Sequence, residues 1–244
     1  MRGLVLGCYL LFCAALVRAE DSPGALRWFA DWLAPEGANF QVVIEFSDLK
    51  LEPKESREQH LLPSPRIASP AAEWTGSKGR GARSEMCCVV WPMGLNDLTL
   101  GAVRLKLTNP ADIPMHTTLS VRIVPRGELH ALSFEKHSFL SEGRLILISD
   151  TPSRGAILAE SPFAPRPLSP QDSAHVESAK GECRGEMLFD LTMAPGQTQA
   201  LGFIVPLRLP KGAEPALDFY RELTVDQLFT EAQKQSGAGD RSKP

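Results

Sequence analysis

VRLKLTNPAD, residues 103–112, decides the fold class. Val103, Leu105 and Leu107 alternate with Arg104 and Lys106, the period of two that a strand shows when one face is buried and the other is wet. Asn109-Pro110 then stops the run, because proline has no amide to donate and pushes the residue before it out of helical geometry. After the turn, Thr118-Leu119-Ser120-Val121-Arg122 takes up the alternation again.

Working outward from this hairpin-like unit, strand-sized apolar or alternating runs recur at 88–91, 98–107, 117–124, 145–148, 156–158, 186–193 and 200–205. Pro125-Arg126-Gly127, Asp150-Thr151-Pro152 and Ala194-Pro195-Gly196 punctuate them. Many short strands with turns between them, and no long helical pattern, predict a mainly β chain with an antiparallel β-sandwich over 86–210.

Each flank reads differently. Ser22-Pro23, followed by Leu26, Phe29, Ala30 and Leu33 at helical spacing, predicts a short N-terminal helix over 23–33. FQVVIEF, residues 40–46, is a first strand, and the proline-, serine- and charge-rich stretch 50–85 reads as a long flexible loop. Residues 20–85 thus form an N-terminal region of helix, strand and loop. The glycine-lysine tract 76–81 lacks the spacing of a phosphate-binding loop. Downstream, 211–235 is a helical segment: Thr224 and Gln227 make a capping box, and Val225, Leu228, Phe229 and Ala232 form one apolar stripe. That stripe predicts a helix that docks on the sandwich or on a partner. Residues 236–244 are polar and glycine-containing, as a disordered tail is.

Residues 1–19 carry Arg2, an apolar run and Val17-Arg18-Ala19, which predict a signal peptide and a secreted or periplasmic protein with no stable membrane anchor after cleavage. The formal charge of −3 becomes two units more negative when Arg2 and Arg18 leave, which gives no electrostatic footprint for nucleic acid. Export leaves Cys87, Cys88 and Cys183. Neighbours on a strand face opposite ways, so a disulfide can join Cys183 to Cys87 or to Cys88 but not to both. Three buried thiols are the alternative.

No GxSxG elbow is present, and His60, His116, His130, His137 and His175 include no pair at metal-ligand spacing. His130 and His137, seven apart, fall in a segment (128–140) that matches neither a helix nor a strand pattern. The expectation is therefore no metal, no cofactor and no enzyme activity. Trp28, Trp32, Trp74 and Trp91 are the candidate stacking platforms for a sugar ring, against the ordinary core role of tryptophan.

Val103 to Asp112 with Thr118 to Arg122 resembles the "strand, Asn-Pro turn, strand" signature of the bacterial β-sandwiches, supersandwich-like, that precede helical-barrel glycosidase domains of the glucosidase and trehalase type. Gly143 to Leu147, Met187 to Gln197 and Gly202 to Leu207 resemble the later strands of that family. The likeness spans about residues 86–210 and implies a fold and a carbohydrate-related context; no catalytic residue carries over. Those relatives continue into a barrel with the catalytic carboxylates, and the sequence here stops at Pro244, so the expectation is a sandwich without its barrel.

Two functions follow as expectations. One is a secreted, non-catalytic accessory module that packs against a helical-barrel glycosidase-like partner. The alternative is an independent carbohydrate- or cell-surface-binding module that takes a glycan on its tryptophans.

Overall fold

The computed structural model describes residues 26–28, 31–51, 59–61, 64–68, 71–76, 80–92, 98–208 and 217–239. Strands β1 (Leu26–Trp28), β2 (Trp32–Pro35), β3 (Phe40–Phe46), β4 (Leu49–Leu51), β5 (Gln59–Leu61) and β6 (Ser64–Ala68) come first. Then follow β7 (Ala71–Gly76), β8 (Gly81–Pro92), β9 (Thr99–Thr108), β10 (Met115–Pro125), β11 (Ala131–Glu135) and β12 (Ser138–Ser141). The last strands are β13 (Arg144–Ser149), β14 (Gly155–Ala159), β15 (Pro165–Leu168), β16 (Ser173–Glu177), β17 (Arg184–Met193) and β18 (Thr198–Arg208), followed by helices α1 (Leu217–Glu222) and α2 (Val225–Gly239).

The chain is mainly antiparallel β, arranged as a sandwich-like pair of sheets. The first has eight strands in the order β15-β14-β17-β10-β3-β2-β1-β5; the second has ten, with β16-β11-β12-β13-β18-β9-β8-β7-β4 along its path and β6 paired to β8. Alternating side chains of both sheets meet in one core: Val42, Ile44, Leu119, Val121, Met187 and Phe189 from the first, Met86, Cys88, Val103, Leu105, Phe203 and Val205 from the second. Two aromatic pairs bridge the layers, Phe189 edge-on to Phe203 with centroids 5.8 Å apart and Phe46 edge-on to Trp74 at 4.9 Å.

A second apolar cluster covers the other side of the ten-stranded sheet. Cys87, Val89, Leu100, Ala102, Ile148 and Ile204 lie under Tyr220, Val225, Leu228, Phe229 and Ala232. The central strands of this sheet are therefore buried on both faces, a sheet-on-sheet-on-helix arrangement.

The deciding stretch 103–112 is β9 and its turn. Asn109 is wholly buried and ties two turns together. Its side-chain amide donates to the carbonyls of Ile113 (2.9 Å), Met193 and Ala194 (both 3.2 Å), and its Oδ1 accepts from the Ala111 amide at 3.1 Å. Its backbone donates to Gln197 and accepts from Gly196. The Asn-Pro and Ala-Pro-Gly turns are one joint.

The expected N-terminal helix over 23–33 is corrected at its described residues: 26–28 and 32–35 are strands, paired with Leu26 opposite Pro35 and joined to β3 through Trp32 opposite Val43. Leu26 and Leu33 are buried in either geometry, so their spacing fits both patterns, and pairing to β3 overrides the local helical preference. Residues 23–25, 29–30 and the leader 1–19 lie outside the described residues.

The stretch 50–85, expected as a loop, is corrected as well, because it carries β5, β6 and β7 and the first residues of β8. Its glycines serve close packing. A Cβ at Gly81 would stand 2.9 Å from the Trp74 carbonyl oxygen, and one at Gly76 would stand 2.6 Å from a Leu49 methyl. Pro65 is accommodated because β6 lies off the main path and pairs irregularly with β8 alone. Helix α2 runs on to Gly239, so 236–239 of the expected tail are helical, and 240–244 lie outside the described residues.

Candidate functional site

Strand alternation sorts the four tryptophans. Trp74 faces the core: it is buried, donates from Nε1 to the Ser84 hydroxyl at 2.9 Å and packs on Phe46, so no ligand can stack on it. Trp28 stands opposite Leu33 and Gln59 in the register, and Trp91 opposite Leu100; the side chains of both lie outside the described residues. Trp32 is the half-buried one. Its neighbour Leu33 points into the core opposite Val42, which turns Trp32 and Val43 to the outer face of the eight-stranded sheet. The guanidinium of Arg126 lies over its ring, 5.7 Å from the centroid.

From Trp32 the outer face continues as a hydrogen-bonded lattice of polar side chains. Arg122 donates to Glu45 at 2.6 Å, Ser120 to Glu186 at 2.5 Å and Thr118 to Asp190 at 3.1 Å, and Arg154 reaches the same Asp190 oxygen at 2.9 Å. Asp31, beside Trp32, is half buried; burial raises its carboxyl above the ordinary range, against a hydrogen bond from its own backbone, and the Glu45 carboxylate adds to the rise.

Next to this face, at one end of the sandwich, two hairpin tips enclose a cleft of about 480 Å³. One tip is the β2–β3 turn with Glu36, Gly37 and Asn39; the other is the β12–β13 turn with Ser141, Glu142 and Arg144. Phe40, Leu145 and Ile146, all buried, form an apolar floor under this polar rim. Both turns need left-handed backbone, at Gly37 (φ 76°) and at Glu142-Gly143 (φ 51° and 80°). Asn39 links cleft and platform. Its amide donates to the Glu128 carbonyl at 2.6 Å and its own carbonyl accepts from Arg126 at 2.7 Å, which fixes the segment that carries Arg126. The cleft thus combines an apolar floor with a polar rim, and Trp32 and Arg126 lie outside its lining.

The sequence reading names Trp32 but misses Arg126 and the rim. Glu36-Gly37 and Glu142-Gly143 are hairpin-turn dipeptides, and they are the signal that could have located the two tips.

The remaining predicted sites take structural places. Val225, Leu228, Phe229 and Ala232 are buried against the chain's own ten-stranded sheet, so the stripe proposed for a partner is already covered. The Thr224 hydroxyl accepts from the Gln227 amide at 3.2 Å while the Gln227 side chain accepts from the Thr224 amide at 2.9 Å, a complete capping box. A further cap comes from far away in sequence, the Asp150 carboxylate accepting from the Val225 amide at 3.0 Å.

Cys87, Cys88 and Cys183 are buried thiols, the alternative weighed beside a bridge from Cys183. Cys87 lies under the helices, whereas Cys88 and Cys183 lie in the inter-sheet core. Burial pushes the Cys88 thiol well above its ordinary range, and the Cys183 thiol is turned to the His130 carbonyl at 3.3 Å. Among the described residues no group of three or more His, Cys, Asp or Glu is placed to hold a metal ion. No protein-family model matches the chain, and no curated protein matches it.

Proposed function

We propose that this chain is an exported, non-catalytic β-sandwich binding module that takes a carbohydrate-class ligand in the cleft between the β2–β3 and β12–β13 tips, with one sugar ring on Trp32. The observation that carries this reading is a cleft of about 480 Å³ with an apolar floor and a polar rim, whose Asn39 is bonded to the segment that holds Arg126 over the Trp32 ring. Sugars offer that same division, with C–H faces that stack on an indole and hydroxyls that pair with carboxylate, amide and guanidinium groups. Glu36, Asn39, Ser141 and Glu142 line the rim as groups able to accept or donate, and the Arg126 guanidinium lies over one face of the Trp32 ring.

The test is a panel of soluble oligosaccharides titrated against the full chain with tryptophan fluorescence and calorimetry as readouts. Trp32→Ala should weaken saturable binding about tenfold, the loss of one stacked ring, while thermal stability changes little. Saturable binding of equal affinity in Trp32→Ala, or no binding to any member of the panel, rejects the cleft.

The accessory-module reading, in which a helical glycosidase-like protein is the partner, is favoured by one observation. Phe163, between β14 and β15, is 93% exposed and offers an apolar anchor that the fold does not use. Co-purification that Phe163→Ser abolishes while glycan binding is absent would favour that reading over the cleft.

A further inference from the structure

The turn between β11 and β12 consists of Lys136 and His137, both in left-handed backbone with φ of 46° and 62°. Two successive non-glycine residues in that region store strain, which persists only where surrounding bonds hold it. Two bonds hold His137. Its carbonyl accepts from the Ser149 amide at 3.0 Å, and its Nδ1 accepts from the backbone amide of buried Ser153 at 3.3 Å, with the Ser153 hydroxyl also at 3.0 Å. A backbone N–H can only donate, so Nδ1 must be bare and the ring neutral, with its proton on Nε2. This turn borders the foot of the helical layer: His137, Ser149 and Asp150 share a cleft of about 290 Å³ with Tyr220, Arg221, Leu223 and Thr224, and Arg221 is bonded to Glu135 at 3.1 Å.

We propose that His137 is an acid-sensitive latch: neutral, it locks the β11–β12 turn to the β13–β14 loop and so seats the α1–α2 pair on the ten-stranded sheet; protonated, it frees that seat. Protonation at Nδ1 turns an acceptor into a donor. The Ser153 hydroxyl can then accept, but the buried Ser153 amide faces another donor and loses its partner. The charged groups around the ring are three cations and four carboxylates. Lys136 and Glu135 lie on its own hairpin, Asp150 follows β13, Arg221 and Asp218 belong to α1 beside the phenol of Tyr220, and Arg154, next to Ser153, is paired to Asp190. Among the described residues no carboxylate is bonded to the ring to hold the imidazolium, and burial lowers its affinity for a proton below the ordinary histidine range around 6.5. A folded-state value below the unfolded one means that the contribution is complete above the unfolded value and declines as pH falls through it.

The experiment is hydrogen exchange of the full chain, read by mass spectrometry between about pH 7.5 and about pH 5 and corrected for the intrinsic pH dependence of exchange. Peptides of α1 and the start of α2 should open about tenfold more often at the acid end, the effect of one stranded buried amide, while β3 and β10 peptides hold. His137→Asn keeps a residue that tolerates left-handed backbone but cannot titrate, and it should flatten the pH dependence; His130→Asn, at an exposed histidine, should leave it unchanged. Should the Asn variant fail to fold, nitrogen chemical shifts of the wild-type ring decide instead. A ring protonated on Nε2, whose titration midpoint lies below 6.5 and coincides with the helix opening, supports the latch. A ring protonated on Nδ1 at neutral pH, or helices whose opening ignores pH, overturns it.

Discussion

The two sheets of this protein use the same alternating code in different surroundings. In the eight-stranded sheet, β3, β10 and β17 bury every second residue and turn Glu45, Arg122, Glu186 and Asp190 outward, so the alternation reads directly as core and solvent. In the ten-stranded sheet, the middle of β8, the first half of β9 and the middle of β18 are buried on both faces because α1 and α2 lie across them. The two regimes meet within β9. Leu100 and Ala102 lie beneath the helices, and the next residue on that face, Arg104, marks the border, with its guanidinium over the Phe229 ring at 4.5 Å and paired to Asp226. An outer face needs a polar lattice where nothing covers it and apolar side chains where a helix does, and the sequence changes register with the cover.

If the helical layer is part of the core, removing its anchors should produce the largest stability loss in the molecule. Leu228→Ala with Phe229→Ala is expected to lower unfolding free energy by about 5 kcal/mol, below the sum of two core truncations because the side chains are neighbours. Thr224→Ala removes only the cap and should cost about 1 kcal/mol. Denaturant unfolding of both variants measures the ratio. A double variant no worse than the cap variant would show that the ten-stranded sheet stands without its cover, and the contrast between the sheets would disappear.

The second test lies where the layers join. Asn109 makes four side-chain hydrogen bonds, and two of them, to Met193 and Ala194, link the end of β9 on one sheet to the end of β17 on the other. Asn109→Ala leaves the buried carbonyl of Met193 and the part-buried one of Ala194 without that donor and should cost about 2 kcal/mol in the same unfolding experiment. A loss under about 0.5 kcal/mol, the range of a neutral surface change, would reduce the joint to an ordinary exposed turn.

Legibility in the sequence follows the same division. VRLKL, FQVVIEF and the 118–122 run could be read because one wet face supplies the polar half of the pattern. CCVV within β8 shows only a continuous apolar run, and nothing local distinguishes a strand covered by a helix from one covered by a sheet. The helix stripe is visible in the sequence, but its cover is not, because the covering surface comes from Val89, Leu100, Ile148 and Ile204, far apart in sequence. Asn109 could be read as a turn but not as a buried hub, since its acceptors lie on a turn 84 and 85 residues away. At the candidate site, Trp32 was named from its residue type, through a helix that the fold does not form. Arg126 joins it only through tertiary geometry, and Asp150 caps α2 from 75 residues away.

The smallest effect belongs to the uncovered face. Arg122 and Glu45 form a 2.6 Å pair there, with 32% and 49% of their side chains exposed. Water screens such a pair, and holding two long side chains in one geometry offsets much of the attraction, so a double-mutant cycle on Arg122→Ala and Glu45→Ala should give a coupling of about 0.5 kcal/mol. That coupling should shrink further when salt is raised from about 0.1 M to about 1 M, where the screening length falls from about 10 Å to about 3 Å. The same cycle on Arg104 and Asp226, where the Phe229 ring fixes an arginine side chain that is 25% exposed although Asp226 is 83% exposed, should give a larger value. Equal couplings at the two pairs would mean that the helical cover does not change the electrostatic surroundings of the strand it borders. A stronger, salt-resistant Arg122–Glu45 pair would mean that the face taken as open is itself covered.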